Sequence, residues 1–97
     1  MSKKVEELYK KAMIKMQEGN WKEGRRIALE CVKNDPDFLG GWKLMFMYQI
    51  RTSTLNDDNI KRNLKTKDIP FNIIEKSITE QKIKKFRKSF LKLLKKN

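Results

Sequence analysis

The residues of this chain most able to do chemistry are the lysines that crowd its C-terminal end. Between Lys76 and Asn97 stand nine Lys or Arg residues and one acid, Glu80, so this segment carries +8 of a formal net charge of +12. Eight of the nine are lysines, whose ammonium groups neutralise phosphates or carboxylates but do not read base edges as arginine does. The sequence therefore predicts electrostatic binding to an acidic partner, with weak specificity for any particular sequence.

Catalytic and metal-binding chemistry has few residues to use. The chain has no histidine, so we predict no enzyme, no cofactor and no metal site. Asp57 and Asp58 are adjacent, but paired acids at a helix start usually face the helix dipole rather than a cation. Cys31, the lone cysteine, falls on a packed helix face, and Gly40-Gly41 lacks the strand and loop of a phosphate cradle.

Helices are the only elements predicted to position these residues. Apolar residues recur at helical spacing and no segment alternates as a strand would, so we expect one all-α domain over residues 1–97. The first helix is expected from about Lys3 to Glu18. Ser2 is its predicted N-cap, and Gly19 is the left-handed residue expected to end it.

The second helix is predicted from about Trp21 to Lys33. Asn20 and Glu23 resemble a capping box at its start, and Pro36 stops it. Only two residues separate it from the first helix, so the two should form an antiparallel hairpin. The small and aliphatic side chains of its inward face are Gly24, Ile27, Ala28, Cys31 and Val32.

A third helix, over about residues 38–50, is apolar nearly all round. Such a helix is covered on several sides, either by the rest of its own chain or by a partner. We expect it to be followed by a polar break at residues 51–54.

Two short segments are predicted next. Asn56 is expected to cap one, and Asp68 the other, with Pro70 in its first turn and a backbone that is either helical or extended. Their predicted inward-facing residues are Ile60, Leu64, Ile69, Ile73 and Ile74.

The last helix is predicted from about Ile78 to Lys95, with Ser77 and Glu80 as a second capping box. At about 100° per residue, one arc of this helix is apolar and the opposite arc is basic. The apolar arc holds Ile83, Phe86, Phe90, Leu93 and Leu94. The basic arc holds the candidate residues for binding phosphates or an acidic partner: Lys84, Lys85, Lys88, Lys92, Lys95 and Lys96.

Charge separates the chain into two parts. Residues 1–50 carry a net charge of +3, whereas residues 51–97 carry +9. We therefore expect residues 1–52 to form the hairpin and the apolar third helix, and residues 53–97 to form a basic helical region that covers them.

The stretch Gly-Asn-Trp-Lys-Glu-Gly at 19–24, with Cys31 and the stop at 34–36, resembles a tetratricopeptide repeat. That family pairs antiparallel helices through a glycine turn, places small residues where the helices touch, and closes with a proline. The matching positions are Leu8, Ala12, Trp21, Gly24, Cys31 and Pro36, and Trp42 falls where a following repeat would open. The departures are Lys11, Lys15 and Ala28, and Phe46 in place of a small residue.

The resemblance covers about residues 5–50 and implies a fold and a binding face. In that family the first helices line a concave face that holds an extended peptide. The corresponding candidate protein-binding residues here are Glu6, Tyr9, Met13, Gln17, Lys43 and Met47. These side chains would suit burial under the C-terminal helices equally well.

The function we expect is a small non-enzymatic adaptor or scaffold that recruits another protein through the hairpin and attaches electrostatically through the last helix. The alternative is a small nucleic-acid-binding protein that uses the basic helix with weak sequence specificity. A third interpretation places that helix on a membrane surface, with Phe86, Phe90, Leu91 and Leu94 as apolar anchors opposite the lysines. Homo-oligomers would also cover the apolar third helix, and the single cysteine with no secretory signal favours the cytoplasm.

Overall fold

The computed structural model describes residues 2–56 and 71–95, and within these ranges all regular secondary structure is helical. The all-α fold is therefore confirmed. The helices are α1 (Lys3–Gln17), α2 (Trp21–Asn34), α3 (Leu39–Asn56), α4 (Phe71–Lys76) and α5 (Glu80–Lys95). The predicted short helix after Asn56 and the predicted cap at Asp68, with Pro70 and Ile69, fall outside the described residues.

The turn between α1 and α2 follows the glycine signal. Gly19 has a φ of +90°, the left-handed conformation that glycine adopts at least cost. Its amide donates to the carbonyl of Met16 at 3.0 Å, and the amide of Asn20 donates to that of Lys15 at 2.8 Å. This pair of bonds is the Schellman motif, which satisfies the last carbonyls of α1 and reverses the chain.

The first helix cap forms as predicted, and the second does not. Ser2 Oγ accepts the amide of Val5 at 3.2 Å at the start of α1. Asn20 precedes α2 but makes no side-chain cap bond. The predicted capping box is wrong because Glu23 instead accepts two hydrogen bonds from Arg26, at 2.6 and 3.0 Å, one turn along the helix.

Close packing joins α1 and α2 in an antiparallel register. Gly24 lies so near α1 that a Cβ built on it would come within 2.9 Å of the Ala12 carbonyl oxygen. At the other end of the pair, Cys31 Sγ donates to the Val5 carbonyl at 3.7 Å. An early residue of α1 therefore meets a late residue of α2, as an antiparallel hairpin requires.

The centre of the core is α3, which packs against each of the other four helices. The prediction that this apolar helix is covered on several sides is confirmed. Its most buried large side chains are Trp42, Leu44, Met45 and Met47, each at most 2% exposed.

The third helix is longer than the sequence predicted. The expected polar break at 51–54 is wrong, and the predicted division of the chain after residue 52 falls inside α3. Within this turn the Thr52 hydroxyl donates to the Tyr48 carbonyl at 2.9 Å. The Arg51 guanidinium lies 5.0 Å from the centre of the Trp21 ring, a contact that holds this turn of α3 against α2. Neither glycine nor proline occurs there to end the helix.

A short helix, α4, packs on α3 and touches the start of α2. Phe71 is buried, with its ring centroid 6.1 Å from that of Trp21, and Ile74 is buried beside it. The helical alternative for this segment is therefore the observed one. Ile73, predicted to face inward, is 63% exposed because a helix that buries positions 71 and 74 turns position 73 outward.

The last helix begins at Glu80, two residues later than predicted. Its N-cap is Thr79, whose hydroxyl accepts the amide of Lys82 at 3.3 Å. The predicted Ser77–Glu80 capping box is wrong, since the Ser77 hydroxyl donates to the Ile74 carbonyl at 2.8 Å and so belongs to the end of α4.

Candidate functional site

Aromatic contacts hold α5 on α3. The Phe86 ring lies nearly parallel to that of Phe46, with centroids 5.1 Å apart, and Phe90 meets Trp42 edge-on at 5.4 Å. Pairs of this kind contribute about 0.5–1.5 kcal/mol beyond the burial of their area. Trp42 is itself fixed, because its indole nitrogen donates to the Pro36 carbonyl at 2.8 Å. The last helix is thus docked on the core and does not project from it.

This docking turns the lysines outward. Lys84, Lys85, Lys88, Lys92 and Lys95 are all exposed, whereas Lys96 lies outside the described residues. Lys84 reaches Glu80 at 3.3 Å. For the other four, the described ranges contain no carboxylate oxygen within 4 Å. From Lys84 to Lys95 this lysine face is about 16 Å long at 1.5 Å per residue.

Three leucines near the end of α5 do not reach the core. Leu91, Leu93 and Leu94 are 39%, 64% and 58% exposed. Leu93 and Leu94 belong to the apolar arc predicted for this helix, but unlike Ile83, Phe86 and Phe90 they do not pack against the core. The contacts between α5 and α3 run antiparallel in steps of four residues, from Phe86–Phe46 to Phe90–Trp42. The next partner, for Leu94, would be position 38, but α3 begins only at Leu39.

Phe38, where the next contact would fall, is occupied elsewhere. Its ring packs edge-on against Tyr9 of α1, with centroids 5.2 Å apart. The final turn of α5 therefore extends past the helix that supports it, with its leucines uncovered by the described residues.

A cleft runs between α2 and α5, which both pack on α3. One end is a hollow of about 320 Å³, lined mainly by the apolar side chains Leu29, Val32, Trp42, Phe90, Leu91 and Leu94. Two cations, Arg25 and Lys33, also line it. A second, more polar hollow of about 300 Å³ shares Arg25 and Phe90 with the first and continues along α3 to Thr52 and Ser53.

The candidate residues of the hairpin face differ in their exposure. Glu6 and Gln17 are exposed, and Glu6 pairs with Lys10 at 3.6 Å. Tyr9 and Met13 are half-buried, and Met47 is fully buried. Met47 therefore has no surface to offer a partner in this arrangement.

Lys43, the remaining candidate, already has partners within the chain. Its ammonium lies 3.0 Å from Glu75 Oε2 of α4 and 5.6 Å from the centre of the Tyr9 ring. Burial acts to lower the pKa of Lys43, but Tyr9 and Glu75 outweigh it and hold the pKa above its ordinary value. The part of the hairpin face at Tyr9 and Lys43 is thus tied to α4.

The groups considered for catalysis lie apart. Burial, followed by the negative charge of Asp35, raises the pKa of the Cys31 thiol, so the thiol stays protonated and unreactive at neutral pH. Within the described ranges no three Cys, Asp or Glu side chains gather as metal ligands would. Gly41 serves packing, since a Cβ there would lie 2.8 Å from Val32. Asp57 and Asp58 fall outside the described residues.

No helix among residues 2–56 and 71–95 has both the length and the apolar character needed to cross a bilayer.

Sequence reasoning missed the cleft and the role of Glu75. A signal for the cleft was present, because Arg25, Leu29 and Lys33 repeat at i, i+4 and i+8 beside the inward face of α2. Leu91 is likewise a lone aliphatic residue just outside the apolar arc of α5. Glu75 gave no signal, since its contact with Lys43 depends on where α4 docks.

Comparisons with known proteins add no relative. No protein-family model matches the chain, and neither a curated protein nor a solved structure matches it significantly. The tetratricopeptide resemblance accordingly stays a prediction.

Proposed function

We propose that this chain is a small non-enzymatic protein-interaction module that binds an acidic partner through α5. The observation that carries the proposal is the exposure of Leu91 and Leu94 next to the outward lysine face. Protein interfaces combine an apolar centre with a charged rim, and the rim speeds association with an oppositely charged partner.

The apolar component favours a protein over a nucleic acid. Phosphate binding needs only the lysines, and it would leave the leucines in water. A membrane surface is supported less well, because two of its four predicted anchors, Phe86 and Phe90, already pack on Phe46 and Trp42, which leaves only Leu91 and Leu94 exposed. We place the module in the cytoplasm, where a lone reduced thiol such as Cys31 is ordinary.

The hairpin supports the rest of the module. The left-handed Gly19 turn and the close approach at Gly24 are in keeping with the proposed tetratricopeptide-like pair. The exposed Glu6 and Gln17 of α1 offer a second contact surface, separate from α5.

Affinity purification of the tagged chain from the cells that express it, with nuclease added, tests the proposal. We expect a defined set of proteins to be retained, and to be lost from a variant with Lys85, Lys88 and Lys92 changed to Gln. The matched control changes three exposed lysines of α1, Lys3, Lys4 and Lys11, to Gln and lowers the net charge equally. Retention equal to that of the tag alone, or equal loss from both variants, would contradict the proposal.

A second candidate function is nucleic-acid binding. It is favoured because no carboxylate oxygen of the described residues lies within 4 Å of four of the five described lysines of the face. Titration with duplex and single-stranded DNA at several salt concentrations tests it. If five phosphates are contacted, log K should fall with log salt at a slope of about −4.5 for duplex DNA. No binding at low salt would exclude this candidate.

A further inference from the structure

We propose that the cleft between α2 and α5 is the docking site for an acidic amphipathic helix of a partner protein. This inference rests on the proposed function and deepens it by naming the surface and the chemistry of the partner. It follows from the shape of the cleft, its charge and the charge of the chain's own helices.

The shape fits an extended occupant. The two hollows share Arg25 and Phe90, so they adjoin, and the residues of α3 that line them run from Trp42 to Thr52. Ten residues of helix span about 15 Å, so the cleft can lie along roughly three turns of an added helix. The cleft is partly open to solvent, so its occupant keeps one face exposed, as a docked helix does.

A helix is the element that this surface can pair with. No strand occurs in residues 2–56 and 71–95, so the described fold offers no sheet edge to which a peptide strand could add. Two helices flanking a third make a groove into which an apolar helix face packs, with anchors at i, i+3, i+4 and i+7. Leu29 and Val32 on one wall and Phe90 and Leu94 on the other supply the matching apolar contacts.

The charge of the cleft selects an acidic occupant. Among the described residues, its lining includes the cations Arg25 and Lys33 and no carboxylate. Lys33 has Glu30 at 3.9 Å, whereas no carboxylate oxygen of the described residues lies within 4 Å of Arg25, which sits where the hollows meet. Beyond Leu91 the surface of α5 continues into the lysine face, so both walls carry positive charge.

A second copy of the chain lacks a suitable helix. None of the five described helices has a net negative charge; the values run from 0 for α4 to +6 for α5. Two copies would also meet with +12 on each. Charge complementarity therefore points to a different protein, with glutamate or aspartate on the outer face of its helix.

The test uses a synthetic peptide of about 18 residues, with leucines at helical i, i+4 and i+7 spacing and glutamates elsewhere, and measures its affinity for the intact protein by calorimetry. A scrambled peptide of the same composition and a version with Lys in place of Glu are the controls. We expect the acidic amphipathic peptide to bind and both controls to fail. Equal binding by either control would overturn the inference.

Adjacent leucines provide the decisive pair of variants. Leu94→Ser removes a side chain that lines the cleft and should weaken peptide binding about tenfold, as an interface anchor does. Leu93→Ser removes a neighbour that is 64% exposed and does not line it, and should change the affinity less than twofold. Both positions are exposed, so both variants should fold. Equal losses for the two would overturn the docking site.

Charge is tested in the same way. Arg25→Gln should weaken binding and flatten its salt dependence, whereas Lys22→Gln, on an exposed position of α2 outside the cleft, should not. A second copy or a lipid surface as the true occupant would also overturn the inference. If a second copy is the occupant, sedimentation should show self-association that is lost in Leu94→Ser. If a lipid surface is the occupant, anionic phosphatidylserine vesicles should displace the peptide.

The two proposals fail in different ways. Failure of the peptide to bind, with cellular proteins still captured through Lys85, Lys88 and Lys92, removes only the docking site. Peptide binding with no nuclease-resistant protein captured from cells removes the proposed function.

Discussion

Gly24 allows α1 and α2 to approach more closely than any other residue would. A Cβ at this position would lie 2.5 Å from Met16 Cγ and 2.9 Å from the Ala12 carbonyl oxygen. The methionine side chain can move, but the carbonyl belongs to the backbone of α1 and cannot move without shifting the helix. Sterics therefore oppose the usual preference of helices for alanine, which favours it over glycine by about 1 kcal/mol.

We expect Gly24→Ala to lower the free energy of unfolding by about 1–3 kcal/mol, the usual cost of overpacking. Urea titration followed by circular dichroism measures the change. Lys22→Ala, at an exposed position of the same helix, is the control and should shift stability by no more than about 0.5 kcal/mol. A Gly24→Ala variant as stable as the wild type would show that the two helices are not in close contact here.

The ion pair between Lys43 and Glu75 should matter over a defined pH range. Because the pKa of Lys43 is raised in the folded chain, its contribution is fully present below its unfolded pKa of about 10.4 and is lost as the pH rises through the higher folded value. The Glu75 side chain is 38% exposed, so solvent screening limits the contribution to about 1 kcal/mol or less.

Urea titrations from neutral to strongly alkaline pH test this on the wild type and Glu75→Gln. The stability difference between them should be constant up to about pH 10 and shrink at higher pH. A difference that grows with pH would contradict the assignment of the pair.

At the scale of the helix, α5 should owe its position to two phenylalanines rather than to its leucines. Phe86→Ala removes contacts with Phe46 and Trp42 and should cost about 1–3 kcal/mol, below the loss for a fully buried phenylalanine since Phe86 is half-buried. Leu93→Ala should cost about 0.5 kcal/mol or less. Urea unfolding measures both changes, and tryptophan fluorescence reports the surroundings of Trp42 together with those of Trp21. Equal stability of the two variants would mean that α5 is not docked.

Comparison of particular helices shows which elements the sequence could predict. The Gly19 turn and the Ser2 cap are local, so the residue types alone located them. The end of α3 was missed because Arg51 packs on the Trp21 ring, and a tertiary contact of this kind does not show in the local residue types. The start of α5 was missed because two nearby hydroxyls competed, and Thr79 rather than Ser77 capped the helix.

The candidate site was predictable in its charge and not in its shape. Helical periodicity placed the lysines opposite Phe86 and Phe90, and docking on α3 left them outward. The same periodicity grouped Leu93 and Leu94 with the docked residues, since it cannot show that α3 begins only at Leu39. The cleft arises from the relative placement of α2 and α5 on α3, which no single helix pattern contains.

For the molecule as a whole, the uneven charge should reduce stability as well as attract partners. The lysine face concentrates like charges along one helix, and their repulsion opposes the compact state most strongly at low salt. In α1 the charges are mixed, and Lys10 lies 3.6 Å from Glu6. The same substitution should therefore have opposite effects at these two places.

Lys88→Glu should raise the melting temperature, because the new carboxylate lies one turn from both Lys84 and Lys92 and each such pair contributes about 0.2–0.5 kcal/mol. For a domain of this size the gain corresponds to about 2–5 °C. Lys10→Glu changes the net charge equally but faces Glu6, so it should lower the melting temperature. Calorimetry from about 20 to 200 mM NaCl should show both differences shrink as the Debye length falls. If Lys88→Glu instead destabilised the chain at low salt, the lysines of α5 would be held by acidic groups of the chain itself, and the face would not be available to a partner.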